Sequence, residues 1–300
     1  MKKQDFGLGL IVVTLWGMNF IAIKLGVSHV PPLFLVALRF LLVAVPAVFF
    51  LPRPQIPWKG LIALSMTLYV GQFGLLFLGI KLGMPTGLAS LVQQSQAFFT
   101  LLIAVIFLKE KLRWNHIAGL LIAAVGIVLI ASRQNTGMTF IGFGLILAAA
   151  ASWGAGNVIM RQVTLDVPPF SMLSLVVWSG LVSFFPMAIL SFLIEGPASW
   201  VNALRQANWV SALSLMYLAY CASLVGYGLW GRLMARYPAS TVSPFALLVP
   251  ILAMISGVLF LGETFTLHQL AGSVLVMTGL VIHVFGQRLH TNARPAKPVA

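Results

Sequence analysis

The sequence predicts an all-α membrane protein of ten transmembrane helices, built as two inverted five-helix repeats with the N and C termini cytoplasmic. Three observations lead there. Hydrophobic residues make up 60% of the 300-residue chain and charged residues 8%, and a mean hydropathy of +1.02 leaves too little polar surface to coat a soluble globule. Apolar runs of about 20 residues, the length that crosses roughly 30 Å of hydrocarbon at 1.5 Å per residue, recur along the whole chain. The chain also repeats itself. Trp16-Gly17, Lys24 and Pro31-Pro32 are answered at the same spacings by Trp153-Gly154, Arg161 and Pro168-Pro169. Pro85, Glu110, Ala118-Gly119 and Gly126 are answered by Pro238, Glu263, Ala271-Gly272 and Gly279, each 153 positions later. Five runs per copy is an odd number, so the second copy enters the bilayer upside down, as in many secondary transporters.

The runs are drawn in order from their chemical breaks. The first, 6–25, follows Lys2 and Lys3 but is too long for a signal peptide, carries Trp16, Asn19 and Lys24, and has no small-residue cleavage site; it stays as a helix. The second, 33–51, begins after Pro31-Pro32 and ends at Pro52-Arg53-Pro54. The third, 60–80, ends at Lys81-Leu82-Gly83, the fourth, 86–107, at Lys109-Glu110-Lys111, and the fifth, 115–131, at Arg133-Gln134-Asn135. The sixth, 139–160, ends before Asp166-Val167-Pro168, and the seventh, 170–194, at Glu195-Gly196-Pro197. The eighth, 210–234, ninth, 239–260, and tenth, 267–286, are divided by Arg236-Tyr237-Pro238 and Gly262-Glu263-Thr264. Residues 1–135 thus form the first repeat, 136–287 the second, and 288–300 a disordered basic cytoplasmic tail.

With the N-terminus cytoplasmic, most of the 18 Lys and Arg lie inside, against Lys24, Lys81, Arg133 and Arg205 outside; this positive-inside bias sets the orientation. It also accounts for the net charge of +13. A nucleic-acid partner is excluded, since it would need those charges gathered on one surface with aromatics between them. The single Cys221 excludes an intrachain disulfide. The second copy carries an insertion around Glu195 to Trp209, which either lies flat on the outer membrane surface or forms an ordinary external loop.

Polar side chains inside the runs mark where function belongs, because hydrocarbon penalises an unpaired amide or hydroxyl by several kcal/mol. Tyr220, Ser223, Tyr227 and Trp230 share one stripe of the eighth helix, Ser65, Tyr69 and Gln72 one of the third, and Gln93, Gln96 and Thr100 one of the fourth. Trp16 with Asn19 on the first helix is answered by Trp153 with Asn157 on the sixth. Together they predict an amphipathic, uncharged lining; each stripe taken alone also reads as glue between packed helices. Trp16 and Trp153 sit about ten residues into their runs rather than at an interface, which favours a cavity wall or a gate.

Pro46 and Pro186 are expected to make static kinks, whereas Pro244 and Pro250, beside Ser240 and Ser243, are expected to free carbonyls at a site. Arg39 lies two turns into the second run; it either attracts a substrate carboxylate or snorkels outward to loop carbonyls. Glu110 and Glu263 stand just before the fifth and tenth helices, as caps of their N-termini. His116 and His283 lie near helix ends with no carboxylate neighbour, and no Asp or Glu lies deep in a run, which leans toward facilitated or exchange transport over proton coupling.

These residues resemble a known family. The paired Trp-Gly, Lys or Arg, and Pro-Pro units, the Gly83-Met84-Pro85-Thr86-Gly87-Leu88-Ala89-Ser90 run, the Leu261-Gly262-Glu263-Thr264 turn and Ala271-Gly272 are similar to the EamA-type transporters of the drug/metabolite transporter superfamily, from about Phe6 to Gly286. Trp16-Gly17-Met18-Asn19-Phe20, Gln94-Ser95-Gln96-Ala97-Phe98-Phe99-Thr100, Leu215-Met216-Tyr217-Leu218-Ala219 and Val225-Gly226-Tyr227-Gly228-Leu229-Trp230-Gly231 resemble the bacterial branch that exports O-acetylserine and cysteine. The resemblance implies a ten-helix inner-membrane exporter whose central cavity is built from the first, third, fourth, sixth, eighth and ninth helices, with the fifth and tenth peripheral. One departure is that Gly156 precedes Asn157, so the two asparagines are not equivalent.

The expectation is an alternating-access exporter of small zwitterionic amino acids or close metabolites, its cavity bordered by Trp16, Asn19, Tyr69, Gln72, Gln93, Gln96, Trp153, Asn157, Ser223, Tyr227 and Trp230. Aromatic or broad-range amino acids or drugs would suit a similar lining. An embedded enzyme has no support, for there is no His-Glu-x-x-His, Gly-x-Ser-x-Gly or Walker A pattern; a non-transporting scaffold or sensor is separated from a carrier by solute flux. The partners are a small solute and the lipid bilayer, with no cofactor or metal called for; the sequence does not set the oligomeric state, and a monomer is compatible with it.

Overall fold

The computed structural model describes residues 1–132, 138–165 and 167–291, with residues 239, 240, 243 and 287–291 described by their backbone alone. Arg133, Asp166, the repeat junction at 135/136, the side chains of Ser240 and Ser243 and residues 292–300 therefore lie outside the described residues. Those described form helices and turns, with no strand among them. Ten helical segments are long and apolar enough to cross a membrane: span 1 (Lys3–His29), span 2 (Pro32–Phe49), span 3 (Trp58–Lys81), span 4 (Thr86–Leu108), span 5 (Trp114–Ala131), span 6 (Phe140–Val163), span 7 (Met172–Ile194), span 8 (Trp209–Arg236), span 9 (Pro244–Leu261) and span 10 (Leu267–Gly286). The helix of span 10 runs on to Thr291, so the tail drawn from 288 begins as helix.

Spans 3, 4, 8 and 9 depart from the simple α-helix, and their irregularities come in matched pairs. Ser65–Gly71 in span 3 and Tyr217–Val225 in span 8 are π-helical, and a shift of 153 lays one within the other. Span 4 breaks between Thr86–Gln93 and Gln96–Leu108, and the helices Ala239–Ala246 and Val249–Leu261 meet at an equivalent break in span 9. Pro250 opens the second of those helices, while Pro244 lies inside the first. Pro186 is accommodated inside the helix of span 7. Pro46 kinks nothing, since the α-helix of span 2 stops at Ala44 and a 3-10 turn, Ala47–Phe49, follows.

The copies interlock. Span 3 packs on span 6 and span 8 on span 1; span 1 packs on span 9 and span 6 on span 4; span 2 meets span 7, and span 5 meets span 10. Glycines set these approaches. A Cβ on Gly17 would lie 2.7 Å from Leu252 Cβ, and one on Gly154 would lie 2.7 Å from Phe99 Cβ, which explains why each Trp is followed by Gly. Spans 5 and 10 touch backbone to backbone: a Cβ on Gly119 would meet Gly279 O at 2.6 Å, and one on Gly126 would meet Gly272 O at 2.6 Å. Rising numbers on one helix meet falling numbers on the other, so these two spans run antiparallel.

The four described carboxylates all lie at helix ends and all have partners. Asp5 accepts from Tyr237 Oη at 2.7 Å and pairs with Arg236 at 3.4 Å. Glu195 accepts the Leu33 and Phe34 N–H groups at 2.8 and 3.0 Å, donors left free at the start of span 2. Glu263 caps a helix other than the one expected: its oxygens take the Thr86 and Gly87 N–H groups at 2.6 and 3.0 Å, at the N-terminus of span 4 rather than span 10. Glu110 pairs with Arg161 instead of capping span 5. Interhelical contact thus outcompetes the local cap: Glu263 reaches a neighbouring N-terminus whose dipole and free N–H groups favour it, and Glu110 reaches a cation in the last turn of span 6. The insertion is a helix, Pro197–Arg205. Trp200 stacks on Phe34 at 4.7 Å and donates to Ser191 Oγ at 2.8 Å, so the helix is docked on the bundle end and is not a loop.

Candidate functional site

Between the copies lies a cavity of about 360 Å³. Trp16 and Asn19 of span 1, Tyr69 and Gln72 of span 3, Gln93 and Gln96 of span 4, Trp153 and Asn157 of span 6, and Tyr227 and Trp230 of span 8 all line it. Members of every stripe therefore converge on one volume, while Ser65 and Thr100, drawn with them, are not on its wall. Ser223 stands behind the wall, where it binds Arg39. Tyr220, drawn on the same stripe, turns instead to a cluster of Val43, Val176 and Ala219.

The wall is not uncharged. Arg39 lines the cavity with only 2% of its surface exposed, so it neither snorkels outward nor reaches loop carbonyls. Its Nε and Nη2 donate to Ser223 Oγ at 3.2 and 3.0 Å, and its guanidinium lies 4.4 Å from the centre of the Phe73 ring. Ser223 Oγ in turn donates to Leu218 O, five residues back, at 2.8 Å. The π-helical segment thus places a hydroxyl acceptor opposite the guanidinium. Through Arg39, span 2 joins the cavity, and through Met172 and Leu175, so does span 7.

Three aromatic rings meet in the wall. The Trp16 ring lies 5.2 Å from both Tyr227 and Trp230, and its Nε1 donates to Ala222 O at 3.0 Å, which meets the need of a buried indole for an acceptor. Amides make up another part of the wall. Asn157 Nδ2 donates to Gln96 Oε1 at 2.7 Å and to Thr100 Oγ1 at 3.1 Å. Gln94 reaches across from the break in span 4 to Ala246 O at the break in span 9, at 3.2 Å.

Several buried polar atoms there have no partner in the protein: Asn19 Oδ1, Arg39 Nη1, and both the oxygen and nitrogen of the Gln93 amide. Leaving a buried donor or acceptor unmet costs about 1–3 kcal/mol, and native interiors rarely tolerate it without water or a ligand. Three such residues on one cavity make it a place built to be filled. A larger groove of about 650 Å³ between spans 4, 9 and 10 has a different character. Its wall is apolar apart from Ser273 and Thr278, whose hydroxyls donate to their own helix, and it includes the exposed Ile255, Val258 and Val274, as suits a surface facing lipid. His116 and His283 sit apart from the cavity with rings 4.9 Å apart. No cluster of three or more His, Cys, Asp or Glu occurs among the described residues.

Residues 6–132 and 140–285 match the EamA-like transporter family. The chain belongs to that family. It is 45% identical over 296 residues to a "Probable amino-acid metabolite efflux pump" of Salmonella typhimurium, covering 98% of this chain and 99% of that one. A protein of Escherichia coli with the same description is 42% identical over 290 residues, covering 96% and 97%. A solved crystal structure resembles the fold with a TM-score of 0.64 at 19% identity, over 99% of this chain and 100% of that one. Multi-pass membrane residence follows from the family and the ten apolar helices. In this EamA-like transporter, sequence reasoning passed over Ser90, Gln94 and Phe73 of the cavity wall. Gln94 carried a signal, being polar and one residue from Gln93 at a helix break; Phe73, an aromatic in an apolar run, carried none.

Proposed function

We propose that this EamA-like transporter exports amino-acid metabolites of the O-acetylserine and cysteine kind across the inner membrane by alternating access. Its ten spans are two inverted five-helix repeats, with residues 1–135 and 136–287 as the copies and both termini cytoplasmic. The observation that carries the reading is the cavity between the copies, whose wall combines unmet guanidinium and amide groups with the Trp16, Tyr227 and Trp230 rings. Such a lining suits a net-neutral solute with one anionic and one cationic end. The efflux-pump descriptions of the two bacterial relatives support the substrate class. The antiparallel glycine contact of spans 5 and 10, in which Gly119 meets Gly279 and Gly126 meets Gly272, supports the inversion, since exchanging the sequence equivalents Gly119 with Gly272 and Gly126 with Gly279 turns one contact into the other. The matched π-helices of spans 3 and 8 and matched breaks of spans 4 and 9 support a shared site between halves.

The purified chain alone, reconstituted in proteoliposomes, is expected to move labelled O-acetyl-L-serine or L-cysteine faster than protein-free vesicles. Vesicles that carry neither solute would refute the assignment. Reporter fusions at the two termini are expected to lie on the same, cytoplasmic, side.

A further inference from the structure

We propose that Arg39 is the carboxylate anchor of the cavity and that Ser223 positions it, so that this carrier selects solutes with a free carboxylate. The proposal rests on the exporter reading above and names the group by which the solute is recognised.

A guanidinium stays protonated, and burying it costs several kcal/mol unless an anion accompanies it. Arg39 is buried, and among the described residues no carboxylate accompanies it: Asp5, Glu110, Glu195 and Glu263 are all engaged at helix ends. Its partners are one hydroxyl and two aromatic rings, Phe73 and Phe77, all neutral. A structural arginine would have its donors saturated, yet Nη1 has no acceptor. The missing partner is an anion, and the cavity that Arg39 lines is where an anion of modest size arrives. Ser223 holds two of the guanidinium donors from behind while giving its own proton to Leu218 O, which fixes the plane of the group and leaves Nη1 for the solute. Charge-assisted bonds of this type are about twice as strong as neutral ones, enough to discriminate an acid from its amide.

The test uses full-length protein in proteoliposomes, labelled O-acetyl-L-serine as tracer, and unlabelled O-acetyl-L-serine or its carboxamide as competitor. Wild type is expected to be inhibited by the acid at a concentration at least about tenfold below that needed with the amide, one tenfold step corresponding to about 1.4 kcal/mol. Arg39→Gln is expected to abolish that preference. Ser223→Ala is expected to raise KM several-fold with maximal flux unchanged, and Ser223→Thr to restore it. Equal inhibition by acid and amide in wild type overturns the proposal, as does an Arg39→Gln carrier that keeps the preference. If Arg39→Gln does not fold, the wild-type comparison decides. If wild type carries no tracer, the exporter reading falls, and thermal stabilisation of the detergent-purified protein by the acid but not the amide still decides the anion site: a shift with the acid alone supports it, and equal or absent shifts overturn it.

Discussion

Spans 5 and 10 and spans 3 and 8 are both built from equivalent stretches of the two copies, yet they solve opposite problems. The first pair packs dry: Gly119, Gly126, Gly272 and Gly279 bring backbone against backbone, and both helices are regular. The second pair borders the cavity, and each member carries a π-helical stretch where polar side chains gather. Within these two pairs regularity goes with the sealed contact and irregularity with the site, whereas spans 1 and 6 line the same cavity as unbroken α-helices. In lipid a helix deviates only where side chains, water or a solute can satisfy the backbone and polar groups that the deviation exposes.

The largest effect is expected on the dry side. Gly126→Val would press a branched side chain onto Gly272 O and the Val276 N, 2.6 and 2.8 Å from its Cβ; backbone cannot yield as a side chain does, so a loss of about 3 kcal/mol is expected, at the upper end for overpacking. Size-exclusion profile and Tm in detergent would show it, and an unchanged Tm would break the contrast between the two pairs. On the cavity side the prediction reverses. Gln93→Leu replaces an amide whose atoms have no partner, so Tm is expected to hold or rise while flux falls about tenfold or more; Tyr227→Ala is likewise expected to cut flux without loss of folded yield. A drop in Tm with flux preserved would turn Gln93 into packing.

Smaller effects sharpen the comparison at the helix ends. Glu263→Gln weakens the cap over Thr86 and Gly87 and is expected to cost about 1 kcal/mol, read as a Tm shift. Glu110→Gln removes an exposed pair with Arg161 and is expected to cost less than about 1 kcal/mol. A larger loss at Glu110 than at Glu263 would reverse the ranking of these two ends.

Most of the span boundaries and ten of the cavity residues were legible because helical spacing and hydrophobic length are local properties of the sequence. Trp16 and Asn19, three residues apart on a regular α-helix, share a face whatever surrounds them. What stayed hidden depends on the partner copy or on departures from the regular period. The stripe through Tyr220, Ser223 and Tyr227 assumes 3.6 residues per turn, and the π-helical segment changes that phase, sending Tyr220 to the Val43 and Val176 cluster. Glu263 announced a cap by residue type, but which N-terminus it caps was a matter of tertiary approach. Arg39 was visible as a cation in an apolar run; its inward course is set by Ser223 and Phe73, 184 and 34 positions away in sequence, which no local pattern connects.

The central claim is that the cavity between the copies is where the solute binds. Because Cys221 is the only cysteine, a Cys221→Ser background allows a single reporter thiol at Gln96→Cys on the cavity wall. In transport-active proteoliposomes the rate of modification by a small thiol reagent is expected to fall severalfold with saturating O-acetyl-L-serine and to be unaffected by the same concentration of its carboxamide. A modification rate that the transported acid leaves unchanged, in vesicles that still carry it, would place the binding site elsewhere.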